Sequence, residues 1–114
     1  MRFMMMVKSD EKAGPPSQEM IAELSKYYED MAKAGVLLET GGLMPSSMGA
    51  RIVVSGGALK VIDGPFAETK ELIGGYALIQ ARSKEEAVEL GSRFMRIHSK
   101  YSDAELEIRQ VFGS

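Results

Sequence analysis

The chain has no cysteine among its 114 residues, which excludes a disulfide framework and a thiolate metal site and gives no sign of an oxidising compartment. Neither sign of charge dominates: 14 lysines and arginines face 16 aspartates and glutamates, for a net charge of -2. There is no basic field to attract phosphate backbones and no Lys/Arg cluster interleaved with aromatics, so no nucleic-acid partner is expected. Long hydrophobic runs are absent too. The apolar stretch at the start, Phe3 to Val7, ends at Lys8, too short for a signal-peptide core or a membrane span. The expectation is a first strand in a cytoplasmic protein with no membrane association. Repeats, linkers and low-complexity tracts are also missing.

What is present is the balance of an ordinary globular domain, 45% hydrophobic and 26% charged, and residues 1–114 read as one domain with one core. Nine methionines are the unusual count; this flexible side chain fills cores and also lines adaptable binding surfaces.

Phe3, Met5 and Val7 share one face of the first strand and Met4 and Met6 the other, so that strand is apolar on both sides. Gly14, Pro15 and Pro16 interrupt the chain. Met20, Ile21, Leu24, Tyr27, Tyr28 and Met31 then recur at three- and four-residue spacing, predicting a helix of roughly 17 residues that ends at Gly35. "VLLET" is a short strand. "RIVV" and "LKVI" flank "SGGA", where Gly56 and Gly57 suit the positive φ of a tight hairpin turn. "GGYALIQA" is the next strand, and Ser83 with Glu86 forms a capping box before a second helix with its stripe at Ala87, Val88, Leu90, Gly91, Phe94, Met95 and Ile97. "AELEIRQV" closes the chain, with Leu106 and Ile108 on one face and Glu105, Glu107 and Arg109 on the other.

Strand, helix, strand, inserted hairpin, strand, helix, strand is an α+β, ferredoxin-like sandwich carrying an extra β-hairpin, with both helices on one face of the sheet. The other face, bearing Met4, Met6, Tyr76 and Leu78, needs cover from outside the monomer. The economical cover is a second copy of the chain in a two-fold homodimer.

The densest segment is "IDGPFAETKELIGGY". Asp63-Gly64 reads as a turn pair, the glycine free to adopt positive φ, and Pro65 stiffens the backbone after it. Asp63, Glu68, Lys70 and Glu71 bring three carboxylates and an ammonium together. "VIDGPFAETKELIGGYALI", with "KAGVLLETGGLMPSSMGARIVVSGG" before it and "EIRQVF" at the end, closely resembles the YCII-related proteins of the branch named for its DGPF tetrapeptide. The resemblance covers nearly the whole chain and implies a dimeric α/β-barrel of ferredoxin-like subunits. It also implies association with extracytoplasmic-function sigma factor systems, and for some relatives an enzymatic His-Asp pair. Here the only histidine is His98, late in the second helix, whereas the resemblance places that histidine early, so the pair does not carry over. The matching positions are Asp63, Gly64, Pro65, Phe66, Glu68, Lys70 and Glu71, with Pro45, Ser46, Gly49 and Arg51.

Asp63 is the candidate general base, its alternative an Asx-type turn residue. Arg51, at a strand start after a serine-rich loop, suits an anionic ligand or a carboxylate partner. Ser46, Phe66, Glu68, Lys70 and Glu71 complete the candidate ligand-binding set, each with a structural alternative as loop, packing or solvated residue. Ser46 and Ser47 have no histidine near them in sequence, which argues against a serine nucleophile. His98 reads as a packing or carbonyl-capping residue near a helix C-terminus. No metal and no cofactor is expected. The first functional reading is a homodimeric small-molecule-binding domain with a cavity over the sheet, lined by methionines, Arg51 and the Asp63 to Glu71 segment, with acid–base catalysis by Asp63. The second is a regulatory or protein-interaction module.

Overall fold

The computed structural model describes residues 1–67 and 72–113. Strand β1 (Arg2–Ser9) leads through a one-turn 3₁₀ helix (Glu11–Ala13) to helix α1 (Gln18–Lys33), and strand β2 (Leu37–Gly42) follows. A second 3₁₀ turn (Ser46–Met48) precedes the hairpin β3 (Ala50–Ser55) and β4 (Ala58–Asp63). Strand β5 (Leu72–Gln80), helix α2 (Lys84–His98) and strand β6 (Glu105–Gln110) complete the chain. The main sheet is antiparallel with order β2-β5-β1-β6, and β3 and β4 form a separate two-stranded sheet. This is the predicted ferredoxin-like order with the hairpin outside it.

The period-2 and period-3.6 patterns carry through to packing. Phe3 and Met5 of β1, Ala77 and Ile79 of β5, Met31 of α1, and Ala87 and Leu90 of α2 form one buried cluster, with Leu37, Leu106 and Ile108 packed against it. Both helices therefore lie on one sheet face. Helix α2 comes closest at Gly91, where a methyl group would meet Leu106 Cδ2 at 2.8 Å and Ile108 Cδ1 at 2.9 Å.

Helix ends follow from local chemistry. Ser17 Oγ accepts from the Met20 N–H at 3.1 Å, and α1 closes with Gly35 N–H donating to Ala32 O and Val36 N–H to Met31 O, the paired bonds of a Schellman motif. Ser83 Oγ accepts from the Glu86 N–H at 3.1 Å. The returning half of the expected capping box is displaced, because the Glu86 carboxylate accepts from the backbone N–H and Nε of Arg82, at 3.3 and 2.8 Å. The arginine's two donors outcompete the single N–H of the cap residue. On the outer face of α1, Lys33 and Glu29 pair at 2.9 Å.

Tyr27 joins the helices by donating its hydroxyl to Leu90 O at 2.6 Å. Burial, and then the neighbouring Tyr28, push its phenol up to about 12. The folded state thus holds this proton more tightly than the unfolded chain, so the contribution to stability is intact below pH 10 and is lost as pH rises from 10 towards 12. Such a rise corresponds to about 2.7 kcal/mol, which solvent screening of this half-buried group reduces to about 1 kcal/mol. Urea titrations at pH 9 and 11.5 are expected to show wild type losing about 1 kcal/mol more than Tyr27→Phe over that interval; equal losses would remove Tyr27 from the alkaline transition.

The sheet's second face carries Met4, Met6 and Leu78, each half-buried, beside an ionic group. Lys8 Nζ donates to Glu107 Oε1 at 2.7 Å and lies 3.7 Å from Glu105, while Arg109 stands 3.9 Å from Glu107. The hydrogen bond from Lys8, and then its charge, hold the Glu107 carboxyl below the usual range. The face is apolar with a charged border, as the alternation in β6 predicts. Among the described residues, no helix is long and apolar enough to cross a membrane.

Candidate functional site

A cavity of about 1080 Å³ opens on the helix side of the sheet. Its floor is the end of the sheet where β2, β5 and β1 meet, and there the chain places glycines. Gly42 pairs with Gly75 across β2 and β5, and Gly74 sits opposite the irregularity in β1 between Val7 and Lys8. A Cβ added to Gly42 would meet nothing within 4 Å. Missing side chains leave the space that a ligand would fill. The walls come from the first half of α1 with Tyr28, the last turns of α2 with Phe94 and His98, and the loop Tyr101–Ala104.

His98 is 5% exposed, and its two ring nitrogens have different surroundings. Nδ1 lies 3.3 Å from Ser102 O and 3.4 Å from Ser102 Oγ. Nε2 has no hydrogen-bond partner among the described residues, yet no buried side-chain nitrogen or oxygen among them lacks one, so Nε2 reaches the cleft surface. In the tautomer with the proton on Nδ1 the ring donates to Ser102 O and Nε2 keeps its lone pair; in the other, Nδ1 accepts from the Ser102 hydroxyl. The ring leans on Phe94, 6.0 Å between centroids, and Phe94 contacts Tyr28 at 6.1 Å. Burial raises the Tyr28 phenol and a hydrogen bond with Thr40 opposes the shift. Imidazole, phenol and aromatic wall thus converge over a glycine floor. The capping expected of His98 is half of what it does; the outlook of Nε2 into the cleft depends on where α1 and β5 pack, which no local pattern announces.

The candidates from the DGPF stretch assemble elsewhere. Ser46 is buried, its N–H and hydroxyl both donating to the Glu11 carboxylate at 2.6 and 2.7 Å, while its Oγ accepts from the Phe66 N–H at 3.2 Å. Gly64 N–H donates to Gly49 O at 3.0 Å, and the Gly64-Pro65 peptide is cis. The Arg51 guanidinium stacks 3.9 Å above the Phe66 ring, a cation–π contact. Arg51, Ser46 and Phe66 therefore come together in a knot that ties three loops to one another. Asp63 is exposed at the end of β4, opposite Ala50, and none of these four residues lines the cleft. Glu68, Lys70 and Glu71 lie outside the described residues. The expectation of positive φ at Gly64 is corrected: its φ is not positive. A Cβ there would overlap the carbonyl oxygen of Ser46, so glycine is required by close approach. Glu11, which no sequence pattern singles out, is the anchor of the knot.

Among the described residues, no three histidine or carboxylate side chains converge into a set that could hold a metal ion.

An uncharacterized protein of Rhizobium meliloti (strain 1021) is 36% identical over 72 residues, 63% of this chain and 58% of that protein, so the match spans little more than half the relative's length. Among solved structures, 5-chloro-2-hydroxyhydroquinone dehydrochlorinase from Burkholderia phenoliruptrix AC1100, in complex with 2,5-dihydroxybenzoquinone, is similar with a TM-score of 0.49 and 17% identity, over 99% of this chain and 96% of that one. A family model described as the YCII-related domain matches residues 1–112, and the chain belongs to that family.

Proposed function

We propose that the protein binds a small organic molecule in the cleft between its helices and sheet and moves a proton on it with the imidazole of His98. The observation that carries this reading is the division of labour in that ring, Nδ1 held by Ser102 O and Nε2 facing the cleft. A base positioned by a partner on its far nitrogen is the arrangement that general acid–base chemistry uses.

The lining indicates what kind of molecule fits. Tyr28, Phe94 and Tyr101 offer aromatic surface, and the paired glycines offer a flat floor with backbone polar groups. Asp10, Asp103 and Glu105 stand on the lining, and the lysine there, Lys8, is engaged by Glu105 and Glu107. That balance favours a neutral, compact molecule over an anion. Two copies associate through the face carrying Met4, Met6 and Leu78, whose apolar centre and charged border resemble the layout of a subunit interface; the family's dimeric barrel would form in this way.

A thermal-shift screen of neutral metabolites tests the site, since a ligand of the folded state raises the melting point. Gly42→Leu would fill the cleft from the floor, where an added Cβ meets nothing within 4 Å. Shifts are expected with wild type and with Asp63→Asn and to vanish with Gly42→Leu. Hits that survive Gly42→Leu and vanish with Asp63→Asn would move the site to the DGPF turn.

A further inference from the structure

Among the described residues, the hairpin β3–β4 is only lightly covered. All twelve of its residues are exposed, and a two-stranded ribbon on its own is at best marginally stable in water. Its register sorts the side chains into unlike faces. Ile52 opposes Val61 and Val54 opposes Leu59 on one face, while Arg51 opposes Ile62 and Val53 opposes Lys60 on the other. The first face holds no charge at its centre, Asp63 standing at its end opposite Ala50, and its apolar side chains are 69% (Ile52), 67% (Val54), 72% (Leu59) and 63% (Val61) exposed. Val53 and Ile62 on the second face are only 39% and 38% exposed. The ribbon also extends the monomer: the molecule measures 45 × 36 × 19 Å with a radius of gyration of 15.6 Å, against about 13 Å for a compact chain of this length.

We infer that the hairpin is an arm that reaches onto a second copy of the chain, which covers the face formed by Ile52, Val54, Leu59 and Val61. The charge pattern selects both occupant and face. In a two-fold contact each patch meets the equivalent surroundings of its twin. A face that is apolar at its centre, with its one carboxylate, Asp63, at the far end, tolerates that, whereas the face with Arg51 and Lys60 would bring cations of both copies towards the middle of one contact. Area points the same way. The four side chains expose roughly 400–500 Å², about the largest apolar patch a lone soluble protein carries. Two arms together remove about 900 Å², short of the roughly 1,200 Å² of a standard specific interface. The arms therefore add to the sheet-to-sheet contact and do not replace it, so the inference rests on the pairing through Met4, Met6 and Leu78. The base of the arm is stiff enough for the task, because the Ser46–Glu11–Phe66 bonds fix the ribbon to the loop that borders the cleft.

The absence of cysteine makes the test direct, since one introduced thiol is the only one. Leu59→Cys and Lys60→Cys place it on opposite faces of the same strand. The oligomeric state is measured by sedimentation velocity, and labelling by a small maleimide is timed at the same concentrations. The expected result is a dimer in which labelling of the Leu59→Cys protein slows at least tenfold relative to dilute monomer while the Lys60→Cys protein labels at an unchanged rate. Fast labelling of both in a dimer would overturn the arm and leave the sheet-mediated pairing intact; slow labelling of both would overturn the one-sided contact. A monomer that persists even at about 100-fold higher concentration than the labelling assay needs would overturn arm and pairing together. Val54→Lys supplies a second readout: the dimer is expected to weaken at least tenfold, with Val53→Lys leaving it unchanged, and equal behaviour of the two variants would sink the assignment.

Discussion

Gly64→Ala is expected to destabilise the protein by at least about 3 kcal/mol, from one methyl group on an irregular turn. The added carbon would overlap Ser46 O and lie 2.5 Å from the carbonyl carbon of the same residue. These are backbone atoms, so no rotamer change relieves the clash and one of the two segments must move. Moving either breaks bonds that hold the knot: Gly64 N–H to Gly49 O, Phe66 N–H to Ser46 Oγ, and the two from Ser46 to the Glu11 carboxylate. Neutral bonds contribute about 1 kcal/mol each and those to a carboxylate about 1.5–3. Losing even half of the set exceeds the usual effect of a surface substitution. Gly42→Ala is the control, because its added methyl meets open space; it should lie within about 0.5 kcal/mol of wild type. Ser46→Ala should fall between them, since it removes the hydroxyl's bonds but leaves the backbone in place. Urea unfolding of the three variants measures the order. A Gly64→Ala protein as stable as wild type would mean that the two loops are not in contact.

The same turn shows how far local sequence can be read. Its need for glycine is visible in "DGPF", but the cause is a carbonyl from the loop before the hairpin, and non-local contact leaves no mark in a four-residue window. Where the governing interaction is local, the reading holds. Gly56 and Gly57 take φ of 57° and 81°, as a two-residue hairpin demands. The apolar spacing of α1 places Met20 and Met31 in the interior, and the alternation of β6 turns Leu106 and Ile108 towards the helices. These patterns have the period of the element itself, so the element can be inferred from them.

The cleft has no such period. Its floor comes from the ends of three strands and its walls from opposite ends of two helices, so its parts lie far apart in the chain. A cavity over the open sheet face follows from counting methionines and charges; the described cavity lies on the other side, where the paired Gly42 and Gly75 leave the helix-facing floor bare. Chemical density points to a different place. The DGPF stretch concentrates charged and stiff residues, yet Ser46, Phe66 and Arg51 satisfy one another in a structural knot. Residues that complete their hydrogen bonds internally have little left to offer a ligand. The histidine with one nitrogen still open is the better candidate, although it sits in an ordinary-looking helix end.

His98→Gln is expected to lower the turnover of a cleft substrate by about 10²- to 10⁴-fold, the range that a positioned acid or base commonly supplies, with KM changing no more than a few-fold. Glutamine keeps a polar group near Ser102 and much of the packing against Phe94, so a loss confined to kcat would isolate proton transfer from binding. The single histidine allows the state of the ring to be observed directly. Nitrogen-15 NMR of the resting protein should show the proton on Nδ1, where Ser102 O accepts it, and an added cleft ligand should perturb the Nε2 resonance more than the Nδ1 resonance. A proton on Nε2, with Nδ1 accepting from the Ser102 hydroxyl, would leave no lone pair towards the cleft and would rule out the ring as the base. Undiminished kcat in His98→Gln would leave the cleft as a binding site without this base. If the loss instead appeared in KM alone, the ring would be a contact for the ligand and the reaction would need another proton acceptor from the cleft wall, with the Tyr28 phenol, which burial disfavours ionising, a poor substitute at neutral pH.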